Sequence, residues 1–377
     1  MTKRIDTARL RGMNLDKEYF LLFLLMILSG GLLLVTLEQV AFDIAEPINV
    51  VMEKEAQTIS LSSLTLKQKI AQMLIVYGSE KDTDLWQKMM VGGIYLEAKL
   101  GPDDFKKSIN RFQSKAAVPF LVTADMEGCR NPFENFKVFP TFKEIQNTEE
   151  AYTVGKEEGQ LMKELGFTMN LAPVVDLEDT IWGCRSFSGN AEEVAEKAQA
   201  YISGLNSAGI MSVAKHYPGQ TLRLSDTHKE VGEVEIEAYD LLPFDKAIEQ
   251  GVSGIMVSHL IVSGEVDSRE KPGVVSPELI ADLKNKFTGL VITDEIGMLG
   301  LRNYYTNNLG QTNFKQIFVD LFKTNNDIIL TFDRNPQRIY SMIGDVEEAV
   351  LRGEISPERI DDSVQKILSA KGWKVIE

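Results

Sequence analysis

Ionisable side chains lie at or just after the C-terminal ends of several apolar runs of this sequence. They are Asp125, Asp176, Lys215, His216, His259 and Asp294. Taken singly, each has a structural explanation: Asp294 could cap a helix, His259 could be a satisfied core histidine, and Lys215 could pair with a carboxylate. Taken together, charged groups at the ends of five runs are costly to bury unless they are used or paired. They predict acid–base and nucleophilic hydrolysis of an uncharged polar ligand such as a sugar.

Composition excludes several other classes of function. The 377 residues include 40 Lys and Arg against 55 Asp and Glu, for a formal net charge of -15. Phosphate backbones are bound by clustered Lys and Arg, and no basic block follows the first few residues, so we expect no nucleic acid partner. Three histidines and two cysteines lie in no zinc-binding spacing, so we expect no metal and no cofactor.

Short apolar runs alternate with longer amphipathic stretches from about residue 60 onward, which is typical of repeated βα units on a parallel sheet. The eight runs are MLIVYG from residue 73, GGIYL from 92, PFLVTAD from 119, FTMNLAP from 167, IMSVAKH from 210, SGIMVSH from 253, GLVITDE from 289 and DIILTF from 327. Eight units predict an α/β fold of the (β/α)8 TIM-barrel type in a single catalytic domain, residues 61–377. A doubly wound open sheet is the competing fold, but no Gly-rich phosphate loop follows the first run. In a barrel, the polar residues above share the carboxyl-terminal face.

The N-terminal segment is predicted to lie outside this domain. Residues 19–37 carry no charge and are long enough to cross a bilayer, which predicts a transmembrane helix. Residues 1–18 are basic and are expected to stay in the cytoplasm, and residues 38–60 form a linker. The catalytic domain is then membrane-anchored and extracytoplasmic, in the periplasm or at the cell surface. A cleaved signal peptide is the alternative.

Several ordered motifs resemble those of family 3 glycoside hydrolases. AKHYPGQTLRLSDTH at residues 214–228 resembles the family's KHFPGHG...DSH signature, and VITDEIGM at 291–298 resembles its nucleophile motif SDDLGM. TADMEGCR at 123, LAPVVDL at 171, CRSFSG at 184 and MVSHL at 256 resemble four further motifs. The resemblance covers residues 64–371. It implies the single-domain beta-N-acetylglucosaminidase branch, an O-glycosyl hydrolase acting on amino-sugar glycosides.

The resemblance also implies residue roles. Asp294 would be the nucleophile that forms a covalent glycosyl-enzyme intermediate with net retention. Asp226 and His228 match an aspartate–histidine pair that serves as general acid/base on a loop. The positions implied to bind substrate are Asp125, Arg185, Lys215, His216, His259 and Asp176.

Departures from the family pattern keep other possibilities open. Gln220, Thr221 and Leu222 replace the family's His-Gly-Asp, and Cys129 replaces the second glycine of its EGG motif. The resemblance places Cys129 and Cys184 on neighbouring loops. The sequence is compatible with a disulfide between them and with two free thiols. The function implied is a retaining, exo-acting beta-N-acetylglucosaminidase, with cell-wall fragments as one substrate and a monomer as the expected state. A phosphorylase using the same acid/base pair and a catalytically silent, membrane-anchored sugar-binding protein are the alternatives.

Overall fold

A computed structural model describes residues 50–222, 232–309 and 314–377, all within the compact unit Ile48–Glu377. The strands among them are β1 Met52–Glu53, β2 Thr58–Ser60, β3 Leu74–Tyr77, β4 Gly93–Tyr95, β5 Leu121–Ala124, β6 Met169–Asn170, β7 Met211–Tyr217, β8 Glu233–Ile236, β9 Gly254–Val257, β10 Ile261–Gly264, β11 Leu290–Thr293, β12 Ile329–Thr331 and β13 Lys374–Ile376. The eight strands predicted from the apolar runs are all present, as β3, β4, β5, β6, β7, β9, β11 and β12.

These eight strands form one parallel sheet in the order β11-β9-β7-β6-β5-β4-β3-β12. A parallel bridge between Ile292 and Ile328 joins the two outer strands and closes the sheet into a barrel. Asp327 supports this seam, because its backbone N–H donates to the Val291 carbonyl at 2.7 Å and its carboxylate accepts the Val291 N–H at 3.0 Å. This α/β fold with a nearly closed, eight-stranded parallel barrel is consistent with the predicted (β/α)8 TIM barrel. The strands are buried almost throughout, as expected when helices cover a parallel sheet.

Helix α1 precedes the first barrel strand, and the other helices follow the barrel strands in chain order. They are α1 Leu66–Gln72, α2 Thr83–Met89, α3 Pro102–Gln113, α4 Thr148–Leu165, α5 Ala191–Ala208, α6 Ala238–Glu249, α7 Pro277–Lys286, α8 Leu299–Leu309, α9 Phe314–Lys323, α10 Pro336–Leu351 and α11 Pro357–Ala370. Local sequence sets their limits: Asn190 and Glu193 form a capping box that starts α5, and Gly209 ends it at a φ of 76°. Ser276 and Ser356 cap α7 and α11 ahead of a proline, which suits the first helical position.

Among the described residues, five strands lie outside the barrel. β2 pairs with β1 on one side and with β13, near the C-terminus, on the other, and β10 pairs with β8. β1 and β2 fall within residues 38–60, the range that the sequence assigns to the linker, and Ile59 in β2 is fully buried. In the described part of the chain, no helix has the length and apolar character needed to cross a membrane. The predicted transmembrane segment, residues 19–37, lies outside the described residues.

Candidate active site

A cluster of two cations and two carboxylates lies at the carboxyl-terminal face of the barrel. Asp125 follows β5 directly, Glu127 lies two residues further on, and Lys215 is near the end of β7. The Lys215 ammonium is 2.8 Å from Asp125 Oδ1 and also pairs with Glu127, while Arg185 Nε pairs with the other oxygen of Glu127. All four residues are at most 7% exposed. We call Asp125, Glu127, Arg185 and Lys215 the ion cluster.

The charges of the ion cluster stabilise one another. Burial by itself raises the pKa of the Glu127 carboxyl, but the positive charges of Lys215 and Arg185 outweigh burial and hold that pKa well below its usual value. Glu127 is therefore ionised at neutral pH. The cluster presents fixed N–H donors and carboxylate acceptors, which is the set that recognises the hydroxyl groups of a sugar.

Tyr95 and Arg130 extend the cluster toward solvent. The Tyr95 hydroxyl donates to Asp125 Oδ2 at 2.9 Å and accepts from Arg130 Nη2 at 3.3 Å. Arg130 is half exposed, with its Nε 3.6 Å from Asp125 Oδ2. Tyr95 packs on the ring of Phe332 with centroids 4.4 Å apart. A cavity of about 300 Å³ opens beside Tyr95, Asp125 and Arg130, and gives a ligand access to this side of the cluster.

Asp176 and His216 form a second buried pair. His216 Nδ1 is 2.9 Å from Asp176 Oδ2, and the His216 backbone N–H donates to the same oxygen at 3.3 Å. The other oxygen of Asp176 accepts the Thr221 N–H at 2.8 Å. Both residues are nearly inaccessible. Asp176 therefore fixes the orientation of the imidazole and of the loop that follows β7.

Asp294 follows β11 and is only partly exposed. Its backbone N–H donates to the Val257 carbonyl at 3.0 Å, and its Oδ1 accepts the Glu295 N–H at 2.8 Å. His259 Nε2 donates to the Glu295 carbonyl at 2.9 Å, which places a proton on that nitrogen. Burial raises the pKa of Asp294, but His216, His259 and the Glu295 N–H together lower it below its usual value. Asp294 is thus an ionised carboxylate at neutral pH, as a nucleophile requires.

The structure brings together the predicted site residues that it describes. They are Asp125, Asp176, Arg185, Lys215, His216, His259 and Asp294. The ion cluster joins three of them, Asp176 holds His216, and the field of Lys215, His216 and His259 acts on Asp294. Asp226 and His228 lie in residues 223–231, outside the described residues, so their roles stay predictions.

Glu127, Tyr95 and Arg130 belong to the site but were not among the predicted site residues. Glu127 and Arg130 lie in the TADMEGCR motif, so this motif held a signal for both of them. Tyr95 ends an apolar strand, where a tyrosine has the pattern of a core residue. Only the hydrogen bonds of its hydroxyl with Asp125 and Arg130 distinguish it from a core residue. In the part of the chain that is described, no group of three or more His, Cys, Asp or Glu side chains could hold a metal ion.

The departures from the family pattern have structural counterparts. Cys129 and Cys184 form a disulfide, with their Cα atoms 5.6 Å apart, so the open question about these cysteines is resolved in favour of a bridge. Gln220 has a φ of 60° and its amide donates to Asp240 Oδ2 at 2.6 Å, and Leu222 accepts the Thr180 N–H at 3.0 Å. The segment of residues 220–222 is therefore held by a hydrogen bond to Asp240 and by another to Thr180.

Comparison with known proteins points to one family. The family model described as the glycosyl hydrolase family 3 N terminal domain matches residues 65–370. A beta-N-acetylglucosaminidase/beta-glucosidase of Cellulomonas fimi is 26% identical over 344 residues, which cover 83% of this chain and 58% of that protein. A beta-hexosaminidase of Nitrosomonas eutropha is 31% identical over 239 residues, which cover 57% of this chain and 68% of the relative.

Solved structures give the same picture. A glycoside hydrolase family 3 beta-N-acetylglucosaminidase from Paenibacillus sp. str. FPU-7 has a TM-score of 0.73 at 29% identity, covering 82% of this chain and 62% of the other. A family 3 glycosyl hydrolase from Mycobacterium smegmatis has a TM-score of 0.74 at 27% identity, covering 83% and 98%. The chain spans about three fifths of the Cellulomonas protein and of the Paenibacillus structure.

Proposed function

The chain belongs to glycosyl hydrolase family 3, and on that premise we propose that it is a retaining, exo-acting beta-N-acetylglucosaminidase. The observation that carries the proposal is Asp294, a carboxylate at the end of a barrel strand whose pKa is held below its usual value although it is largely buried. Such a group is ready to attack an anomeric carbon and form a glycosyl-enzyme intermediate. Relatives named beta-hexosaminidase support the amino-sugar specificity.

The ion cluster would bind the non-reducing sugar. Lys215 and Arg185 supply N–H donors, and Asp125 supplies an acceptor that Tyr95 and Lys215 hold in place. Because these side chains are already ordered by one another, a sugar hydroxyl that joins them costs little additional side-chain entropy. The substrate is then a terminal N-acetylglucosamine, with cell-wall fragments as one source, and we propose that the enzyme acts as a monomer.

His228 and Asp226 would supply acid–base catalysis by the family resemblance. A histidine titrates near neutral pH, so it can protonate the leaving oxygen and then deprotonate the attacking water, while an aspartate orients its ring. These two steps can be separated by the choice of leaving group. Protonation matters most when the leaving group is poor, whereas attack by Asp294 is needed for every substrate.

The mechanism is tested by comparing Asp294→Asn and His228→Ala on natural and nitrophenyl N-acetylglucosaminides. We expect Asp294→Asn to lose turnover of all substrates. His228→Ala is expected to lose about 10²- to 10⁴-fold on natural sugars, the usual size of an acid–base contribution, and much less in the glycosylation step with nitrophenol. Azide should restore turnover of His228→Ala and give the beta-glycosyl azide, the product of two inversions. An alpha-configured azide product, or equal losses on good and poor leaving groups, would exclude this mechanism.

The same assay separates the alternative functions. Phosphate added to the wild-type enzyme would yield a sugar 1-phosphate if the chain were a phosphorylase, and a free sugar if it is a hydrolase. A silent sugar-binding protein would bind N-acetylglucosamine without releasing nitrophenol. Formation of a sugar 1-phosphate, or binding without release of nitrophenol, would refute the proposed hydrolase activity.

We also propose that residues 19–37 anchor the chain in a membrane with the barrel on the extracytoplasmic side. The uncharged run and its basic flank support this orientation. The disulfide fits the same compartment, because disulfides persist where the environment is oxidising. Protease added to intact spheroplasts should digest the barrel, and full protection of the barrel would refute the orientation.

A further inference from the structure

The Cys129–Cys184 disulfide joins two loops that carry members of the ion cluster. Cys129 lies two residues after Glu127 on the loop that follows β5, and Cys184 directly precedes Arg185 on the loop that follows β6. The two cysteines are the only ones in the chain and are 55 residues apart. The covalent link therefore runs beside the Glu127–Arg185 ion pair, and both connect the same two loops.

The two loops also touch through their backbones next to the disulfide. Gly128 has a φ of 63°, and a Cβ atom there would lie 2.4 Å from the Cys184 carbonyl oxygen. On the other side, the Asp179 carboxylate accepts the N–H groups of Trp182, Cys184 and Arg185 at 2.7, 3.0 and 2.8 Å. Asp179 shapes the turn that carries Arg185, whereas the disulfide sets the position of that turn against the β5 loop.

A small thiol can reach this disulfide. Cys129 is exposed and Cys184 is partly exposed. Cys129 also lines the cavity of about 300 Å³ beside Tyr95, Asp125 and Arg130. The bond is thus open to exchange from the same side that gives access to the ion cluster, unlike a disulfide buried in a core.

We propose that the Cys129–Cys184 disulfide is a redox-sensitive positioning element of the sugar-binding site. The intact bond keeps Arg185 against Glu127. Its reduction frees the turn that carries Arg185 and weakens sugar binding, while Asp294 stays in place at the end of β11. The proposal rests on the proposed function in so far as the ligand is a sugar. It concerns a pair of residues in which Cys129 departs from the family motif.

The exchange is chemically balanced with a dithiol as reductant. One thiolate of the dithiol attacks Cys129 Sγ, the Cys129–Cys184 bond breaks, and Cys184 leaves as a thiolate that takes up a proton. The second thiol of the reductant then displaces Cys129 from the mixed disulfide. The protein gains two electrons and two protons, and the dithiol becomes a cyclic disulfide.

The test compares oxidised protein with protein reduced by dithiothreitol, using the complete chain and a nitrophenyl N-acetylglucosaminide. We expect KM to rise about tenfold on reduction, because Arg185 must then be ordered when the sugar binds, and kcat to change less than about threefold. The variant Cys129→Ser/Cys184→Ser should match the reduced protein and show no further response to dithiothreitol. This variant controls for any other effect of the reductant. An unchanged KM, or a fall in kcat as large as the rise in KM, would overturn the proposal.

Hydrogen exchange keeps the proposal testable apart from enzymatic activity. Opening of the freed turn breaks the hydrogen bonds from the Trp182, Cys184 and Arg185 amides to Asp179, so these amides should exchange faster in the reduced protein, while amides of β11 next to Asp294 should not. Titration with N-acetylglucosamine should show weaker binding by the reduced form even in Asp294→Asn. An oxidised protein that neither binds nor hydrolyses the sugar would refute the proposed function, whereas unchanged exchange at these three amides would refute the positioning role alone.

Discussion

Glu127→Gln tests whether the ion cluster holds the two loops together or is only tolerated there. The substitution keeps the shape of the side chain and removes its charge. Glu127 is 1% exposed and pairs with both Lys215 and Arg185. In the variant, Lys215 keeps Asp125 as an acidic partner at 2.8 Å, but Arg185 loses the carboxylate on its Nε. A buried cation is then left without a fully charged partner.

The expected cost follows from that loss. Removing one member of a buried ion pair usually lowers the free energy of unfolding by about 3–5 kcal/mol. The unit Ile48–Glu377 has an unfolding entropy that corresponds to a loss of roughly 1.4 °C of Tm per kcal/mol, so the Tm should fall by roughly 4–7 °C. The variant Glu164→Gln is a matched control, because Glu164 pairs with Lys106 at the surface, where the two side chains are 67% and 40% exposed. The same chemical change should there lower the free energy of unfolding by less than about 1 kcal/mol.

Thermal unfolding followed by circular dichroism and urea unfolding would measure both variants. The double variant Glu127→Gln/Lys215→Met also removes one of the two cations, and we expect its loss of stability to be smaller than the sum of the single losses. If Glu127→Gln were as stable as Glu164→Gln, the cluster would not hold the loops, and our reasoning from burial and pairing would be refuted.

Two further predictions concern pH. Burial raises the pKa of Asp294, and the positive charge of His216 is the largest influence that lowers it. The variant His216→Asn should therefore move the acidic limb of the kcat/KM profile to higher pH. If the limb did not move, Asp294 would not be the group that must be ionised. Glu158 is fully buried beside the Tyr201 hydroxyl, and burial raises its pKa to about 8. The folded protein therefore keeps a proton that the unfolded chain releases above its pKa of about 4.3, so stability should fall as pH rises from there to about 8. Glu158→Gln should flatten that part of the Tm curve, and parallel curves for the two proteins would contradict this.

The barrel could be predicted from the sequence because its signals are local. Each strand is a short apolar run, and a helix with its own caps follows most of them, as at Asn190 and Ser276. Parallel strands bring their carboxyl ends to one face whatever their exact register, so the polar residues at those ends were expected to meet. For this reason the sequence alone predicts that Asp125, Lys215 and Asp294 lie on this face.

Pairings between distant parts of the chain were decided by tertiary structure. β13 pairs with β2 more than 300 residues earlier, and no local pattern in either short strand specifies that partner. The disulfide needed the two Cα atoms to approach within bonding range, which spacing along the chain does not determine. Glu127 is similar, because a carboxylate in a loop is usually solvated, and only the approach of Lys215 and Arg185 makes it a buried, ionised member of the site. Sequence therefore determined which groups face the barrel mouth, whereas their charge states and partners depend on distances and burial that only the folded chain sets.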